Sequence, residues 1–258
     1  GAGAGGVYGL SGRIIARHFP KHIPGNPRVL MEFMPGAGGI KVANYLYNVA
    51  PKDGTAIGML LRDTAANQII NPKRVKFVAT KFNWMGSWGD ALNVLTVVKD
   101  APAITLEEAK KKQVILGGFS PRSSNYTYPK VLNALLGTKF KVVAGYRGGG
   151  AIRKAIDQRE IYGWAGFYVG WISKRPALVH GNKLAHLVQF TTQRYKDFPR
   201  LKNVPLATEL AKNEDDRKVF RFLSASGKVA RAMSTPPGTP DYINKAIEKA
   251  WDDTIADP

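Results

Sequence analysis

Apolar positions along this chain recur first at one period and then at another. Leu10, Ile14 and His18, with Ile15 and Phe19, fall at helical spacing and predict a helix over roughly 8–19. The run GAGAGG opens it and PGNP (24–27) breaks it. RVLMEF (28–33) reads as a strand and MPGAGG (34–39) as a second glycine turn. The next helix carries Ile40, Ala43 and Tyr47 on one face. PKDGT (51–55) is a turn, and AIGMLL (56–61) is an unbroken apolar run of the kind a buried parallel strand shows.

The same order returns further along. NVLTVV (93–98), VILGG (114–118), FKVVAG (140–145) and LAHLVQF (184–190) read as strands. Thr105 and Glu108 form a capping box for a short helix. FSPRSSNY (119–126) leads into a helix through Leu136, with Ser123 or Ser124 as its cap, and YRGGG (146–150) leads into one carrying Ile152 and Ile156. PPGTP (236–240) precedes a last amphipathic helix with Ile243, Ile247, Ala250 and Trp251. Alternation of this sort predicts an α/β fold with mostly parallel sheets. Glycine or serine turns come in two groups, within the first 100 residues and between 115 and 150, as two facing α/β lobes would need. The expected division is lobe 1 at 1–98 plus 218–258 and lobe 2 at 99–217, with two chain crossings as the hinge and a ligand cleft between the lobes.

Composition narrows the function. A chain of 258 residues with 44% hydrophobic and 22% charged positions is globular and long enough for two lobes. No apolar run approaches the ~18–20 residues that span a bilayer. Cysteine is absent, which excludes disulfides, thiolate metal sites and cysteine nucleophiles. The net charge of +19 favours anionic partners, whether small acids, nucleic acid or a membrane surface, unless it is only a solvated basic exterior. Its cations are scattered, the longest run being Lys110-Lys111-Lys112, and no aromatic residues interleave with them. Nucleic acid is therefore not expected as a partner.

Gly1, Gly3 and Gly6 match the G-x-G-x-x-G dinucleotide fingerprint, which gives an alternative reading as an NAD-binding oxidoreductase with a Rossmann-like first domain. Glu32, the acid available for a ribose, comes 26 residues after Gly6, later than the usual ~20. No acid/base group for a nicotinamide presents itself. A more general reading needs only backbone: glycine turns at strand ends expose N–H groups at helix N-termini, which bind anions with help from the helix dipole. Any one such turn can equally be plain geometry, since positive φ needs glycine anyway. Ser120, Ser123, Ser124 and Asn125 can donate to carboxylate oxygens or serve as turn and cap residues, or both. Arg147 is a candidate partner for an acid or a solvent-facing side chain. Trp164, Phe167, Tyr168 and Trp171 form either core or a ring-stacking wall. The four histidines lack metal-ligand spacing, and no paired carboxylates, P-loop or G-x-S-x-G motif occurs, so no catalytic function, cofactor or metal is expected.

The run ARHFPKHIPGNPRVLMEFMPGAGGIKVANYLYNVAPKDGTAIG (16–58) closely resembles the solute-binding receptors of tripartite tricarboxylate transporters, the Bug-type receptors. GGFSPRSSNYTYPKVLNALLGTKFKVVAGYRGGG (117–150), RYKDFPRLKNVPLATELA (194–211) and the PPGTP helix are similar to later segments of that family. The resemblance implies a two-lobed periplasmic binding protein of type II fold, without enzymatic activity, that captures a small organic carboxylate and delivers it to integral membrane transporter subunits. It implies a periplasmic monomer, its signal peptide removed, with a strand before Gly1 and a further portion after Pro258. Carried over by motif, the ligand residues are Gly5, Gly6, Val7 and Tyr8, seconded by Gly36, Ala37 and Gly38. The second lobe would supply Ser120, Ser123, Ser124, Tyr146, Gly148 and Gly149. Two positions depart from the family pattern: Gly9 stands where many relatives are acidic, and Arg159-Glu160-Ile161-Tyr162-Gly163 replaces an acidic G-E-V-D-G-like run.

Overall fold

The computed structural model describes residues 3–257. In chain order it begins with α1 (Val7–His18), α2 (Ile40–Asn48), β1 (Gly58–Met59), α3 (Thr64–Ile70) and β2 (Asn83–Ser87). There follow β3 (Asn93–Val98), α4 (Leu106–Lys111), β4 (Val114–Gly118), α5 (Ser124–Leu136), β5 (Phe140–Ala144) and α6 (Gly149–Asp157). The remainder is β6 (Gly163–Phe167), α7 (Val169–Lys174), α8 (Pro176–His180), β7 (Leu184–Phe190), α9 (Glu214–Ala225), β8 (Ala232–Thr235) and α10 (Asp241–Ala256). Among the described residues no helix is long and apolar enough to cross a membrane.

Two compact units result. The first takes the chain up to Gly89 and from Val229 onward; the second runs from Asp90 to Lys228. The boundaries expected at 98/99 and 217/218 therefore move outward. Their physical reason is pairing: β3 is an interior strand of the second unit's sheet, hydrogen-bonded to β6 on one side and β7 on the other. Phe220 and Leu223 of α9 belong to that unit's core as well. Within the second unit the two chain ends are tied together. Ala91 N–H donates to Gly227 O at 2.7 Å, and Asp90 Oδ2 accepts from the Tyr195 hydroxyl at 2.5 Å and from Lys228 Nζ at 2.9 Å. Desolvation opposes ionisation of Asp90, but these two donors outweigh it and hold its carboxyl below the usual range.

The second unit's sheet has the order β5-β4-β6-β3-β7. β4 pairs in parallel with β5 and β6, while β3 runs antiparallel to both its neighbours, so four strands share one direction. Side chains of β3 alternate between two cores. Leu95 and Val97 face Tyr128, Leu132 and Phe220; Val94 and Val98 face Ile152, Trp164, Tyr168 and Trp171. All four clustered aromatics, Phe167 included, are buried and take the core reading. Tyr128 stacks on Phe190 with centroids 4.0 Å apart. Thr105 caps α4, accepting from Glu108 N–H at 3.1 Å, and the Glu108 carboxylate reaches back to Ile104 N–H at 2.8 Å, one residue before the cap.

The first unit has a three-stranded sheet, β1-β8-β2, in which β8 is antiparallel to both partners. The parallel pairing expected for AIGMLL is not found, because its neighbour is β8 rather than another strand of the same direction. α10 packs on β2, where Gly86 is required: a Cβ there would stand 2.2 Å from Trp251 Nε1. RVLMEF does not form a strand. Its backbone is extended, but from Arg28 to Gly36 no N–H donates a hydrogen bond and no residue is buried, Leu30 being 71% exposed. With Ile15, Phe19, Gly58 and Met59 it lines a groove of about 160 Å³. A strand needs a ladder partner within pairing distance, and this segment has none among the described residues.

Two predictions follow from this packing. Hydrogen–deuterium exchange read by NMR is expected to be fast for the amides of 28–36 and slowest for β3, whose Val94 and Leu95 are fully buried. His186 on β7 has its pKa lowered to about 4 from an ordinary 6.5, by burial first and then by Arg200 and Lys99. The folded state therefore binds fewer protons than the unfolded chain below pH ~6.5, so stability is present above that value and lost as pH falls toward 4. Urea unfolding at a series of pH values should show this loss, and His186→Gln should flatten it.

Candidate functional site

In the first unit the predicted residues collect around the N-terminus of α1 and the PGAGG turn. Gly6 is the N-cap, with extended φ −101° and ψ −177°, and no side chain caps the helix. A Cβ at Gly5 would meet open space, so packing does not require glycine there. Tyr8 is buried, and its hydroxyl oxygen accepts from Arg62 N–H at 3.1 Å, fixing α1 to the loop after β1. Burial pushes the Tyr8 phenol up, against the pull of Arg62. The PGAGG turn holds positive φ at four successive residues: +142° at Gly36, +47° at Ala37, +64° at Gly38 and +93° at Gly39. Ala37 in this region costs of the order of 1 kcal/mol, strain that the flanking glycines avoid. Gly39 is needed twice over, since a Cβ would also stand 2.7 Å from Leu61 Cδ1.

A charged cluster that sequence reasoning missed lies against this helix end. Arg62 Nε is 3.7 Å from Asp63 Oδ1, with side chains only 6% and 11% exposed. Arg231, at φ +58°, donates to Trp88 O and lies within electrostatic reach of Tyr8. Desolvation lowers the Arg231 pKa, but arginine remains protonated. Arg62 and Asp63 are buried and Arg231 partly so, and all three act electrostatically on Tyr8 in the first turn of α1. The signal in the sequence was the RD pair placed directly after the apolar run AIGMLL.

In the second unit, pairing brings the predicted loops together. β4 and β5 are parallel neighbours with Gly118 opposite Ala144, so the loop 119–123 and the loop 145–148 leave the same edge of the sheet. Gly145 N–H donates to Phe119 O at 3.2 Å and Tyr146 N–H to Gly118 O at 3.3 Å. Both loops end in helix N-termini, α5 and α6, whose dipoles point their positive ends to that edge. Ser123 is the N-cap of α5, but its hydroxyl serves the turn. It lies 2.7 Å from Ser120 O and 2.5 Å from Asn125 Oδ1, and accepts from Ser120 N–H at 3.2 Å. Ser120 Oγ accepts from Arg122 N–H at 3.2 Å, and its own proton has no acceptor among the described residues. Ser124 is buried. Tyr146 is half-buried, and desolvation with the nearby Glu160 carboxylate, to which its hydroxyl donates, raises its pKa, so the phenol stays protonated at neutral pH. Gly148, at φ +156°, caps α6, and Gly149 is its first residue. Arg147 is exposed.

Behind this edge stand Trp164 and Arg153. A Cβ on Gly149 would meet Trp164 Cη2 at 2.9 Å and the Arg153 guanidinium at 3.1 Å, so glycine lets both approach the first turn of α6. Arg153 is buried, and desolvation lowers its pKa without discharging it. The Trp164 ring packs at 5.7 Å from Phe119, and its indole N–H is buried with no acceptor among the described residues. The arrangement can donate hydrogen bonds to oxygens and oppose negative charge. It offers no nucleophile paired with a base. Gly1 of the dinucleotide fingerprint lies outside the described residues, and Glu32 is exposed on the unpaired segment rather than at a strand end, so the NAD reading gains no support. Among the described residues no group of three or more His, Cys, Asp or Glu is placed to hold a metal.

No protein-family model and no curated protein sequence matches the chain. Solved structures do. The periplasmic binding protein BugD superposes with a TM-score of 0.73 at 17% identity, over 100% of this chain and 81% of that one. MatC from Rhodopseudomonas palustris with bound malate gives 0.75 at 20% identity, over 99% and 82%. A second R. palustris protein, with adipate, gives 0.71 at 18%, over 99% and 79%. The fold is that of Bug/TctC-type periplasmic binding proteins. The expected α/β architecture of two units is thus found, with one antiparallel strand in each sheet.

Gly149→Ala is expected to displace Trp164 or α6 and to cost about 1–3 kcal/mol, as overpacking does. Chemical denaturation and the tryptophan emission spectrum together test this; an unchanged stability and spectrum would contradict the packing described.

Proposed function

We propose that this chain is a non-enzymatic receptor that captures a small organic carboxylate outside the cytoplasm and delivers it to integral membrane transporter subunits. The observation that carries the reading is repeated in both units: a glycine-opened helix N-terminus with a buried guanidinium close to its first turn, Arg62 beside Tyr8 in one and Arg153 beside Gly149 in the other. Carboxylate oxygens suit such a site, because N–H donors and a fixed positive field compensate a charge removed from water. The malate and adipate bound by proteins of the same fold support the ligand class, and their periplasmic setting supports the location.

The proposed roles differ between residues. Backbone N–H groups at Gly6, Val7 and Gly149 and the Ser120 hydroxyl would bind oxygens directly, and the Tyr146 phenol would do so on exchanging its Glu160 acceptor for the ligand. Tyr8, Ser123 and the turn Gly36–Ala37–Gly38 would hold those donors in place, and Ser124 and Gly148 complete the helix ends. A monomer would suffice for binding.

Thermal shift against di- and tricarboxylates, aromatic acids, amino acids and NAD tests the reading. A ligand at 100 times its Kd adds about 2.7 kcal/mol of apparent stability. We expect stabilisation by one class of acid and its weakening by roughly tenfold or more in Ser120→Ala, a charge-assisted hydrogen bond being worth about 1.5–3 kcal/mol. Stabilisation by NAD alone would overturn it.

A further inference from the structure

A recess of about 290 Å³ opens in the second unit, away from the loops described above. Its floor is apolar: Leu184 at the start of β7, Val179 of α8, and Val204, all buried. Its rim is basic. Lys99 follows the last residue of β3, and Arg200 sits in the helical turn Pro199–Leu201. Leu184 begins its strand, whereas the Ser120 and Gly148 loops leave the ends of strands that run in the same direction, so the two places lie at opposite edges of the sheet.

Neither Lys99 nor Arg200 has an ion-pair partner among the described residues, and no acidic side chain lines the recess. His186 forms a wall. Its Nδ1 is 3.0 Å from Thr96 Oγ1, and the Tyr168 ring meets it edge-on at 5.1 Å, so the imidazole is held in place. Kept neutral by burial and by the two cations, it adds no third charge. With Nδ1 assigned as acceptor from the Thr96 hydroxyl, Nε2 is left as an N–H donor.

Two unneutralised cations above a buried apolar floor present charge and apolar surface to the same ligand. Inorganic phosphate would use only the rim, and a neutral hydrocarbon only the floor. The volume equals roughly ten water molecules at ~30 Å³ each, which suits a compact ligand. We propose that this recess is a second binding site, for an organic carboxylate with a short apolar body, its carboxylate between Lys99 and Arg200 and its body on Val179, Leu184 and Val204.

The test is an amide NMR titration of the full chain with hexanoate, with inorganic phosphate and hexylammonium as comparators. Saturable shifts are expected for hexanoate at residues 179–186 and 198–204, weakened at least tenfold in the Lys99→Gln/Arg200→Gln double variant and unchanged in Ser120→Ala. Both substituted side chains are exposed, so the double variant is expected to fold; its unperturbed amide spectrum verifies this. No saturable shift at these residues would overturn the proposal. So would equal affinity in the double variant, equal response to phosphate or hexylammonium, or a loss in Ser120→Ala as large as in the double variant.

Discussion

The parallel pairing of β4 with β5 is the constraint on which the second unit's half of the candidate site depends. Opposing Gly118 to Ala144 makes two loops, separated by a whole helix in sequence, leave one edge together. Once they do, α5 and α6 point the same ends at the same place, and the Gly145 and Tyr146 amides lock one loop to the other. A slip of one residue would turn every side chain of β5 to the opposite face. Phe140, buried among Leu132 and Leu136, anchors the register.

Electrostatics then decides what such an edge can hold. Buried guanidinium groups are costly to desolvate and persist only where partners compensate them. Arg62 lies beside Asp63, and Arg153 lies against the first turn of a helix. Both units therefore place a buried guanidinium close to a helix N-terminus, whose dipole already favours an anion. This local field, not the overall charge of +19, is the specific feature. The scattered surface lysines and arginines raise the general attraction of anions without choosing one.

Much of the fold was legible because its strands are short apolar runs bounded by turn residues. NVLTVV, VILGG and LAHLVQF coincide with β3, β4 and β7. Others were hidden by composition. GWAGF, the whole of β6, reads as an aromatic cluster because two glycines replace the expected aliphatics, and Gly163 must be small to lie 2.1 Å, at its notional Cβ, from Thr96 O. AMST, which is β8, buries Ser234 and Thr235 that periodicity takes for surface. RVLMEF erred the other way: its pattern is right for a strand, but a ladder depends on what lies beside it. In the site, the glycine turns and serines were readable from local chemistry, as caps and positive-φ positions. Arg62, Arg153 and Arg231 were not, since a charged residue reads as exposed until tertiary contacts bury it. Tyr8, Arg62 and Arg231 are brought together from distant parts of the chain.

The central claim is that buried donors and fixed charge, rather than the basic exterior, bind a small carboxylate. Calorimetric titration with malate, adipate and related acids at two ionic strengths addresses it most directly. The Debye length falls from ~30 Å at about 0.01 M salt to ~10 Å at about 0.1 M, which screens exposed charge far more than buried charge. The account predicts saturable one-to-one binding of one acid class, with a Kd that changes only a few-fold between these conditions. Weak binding of every acid alike, fading steeply with added salt, would contradict it.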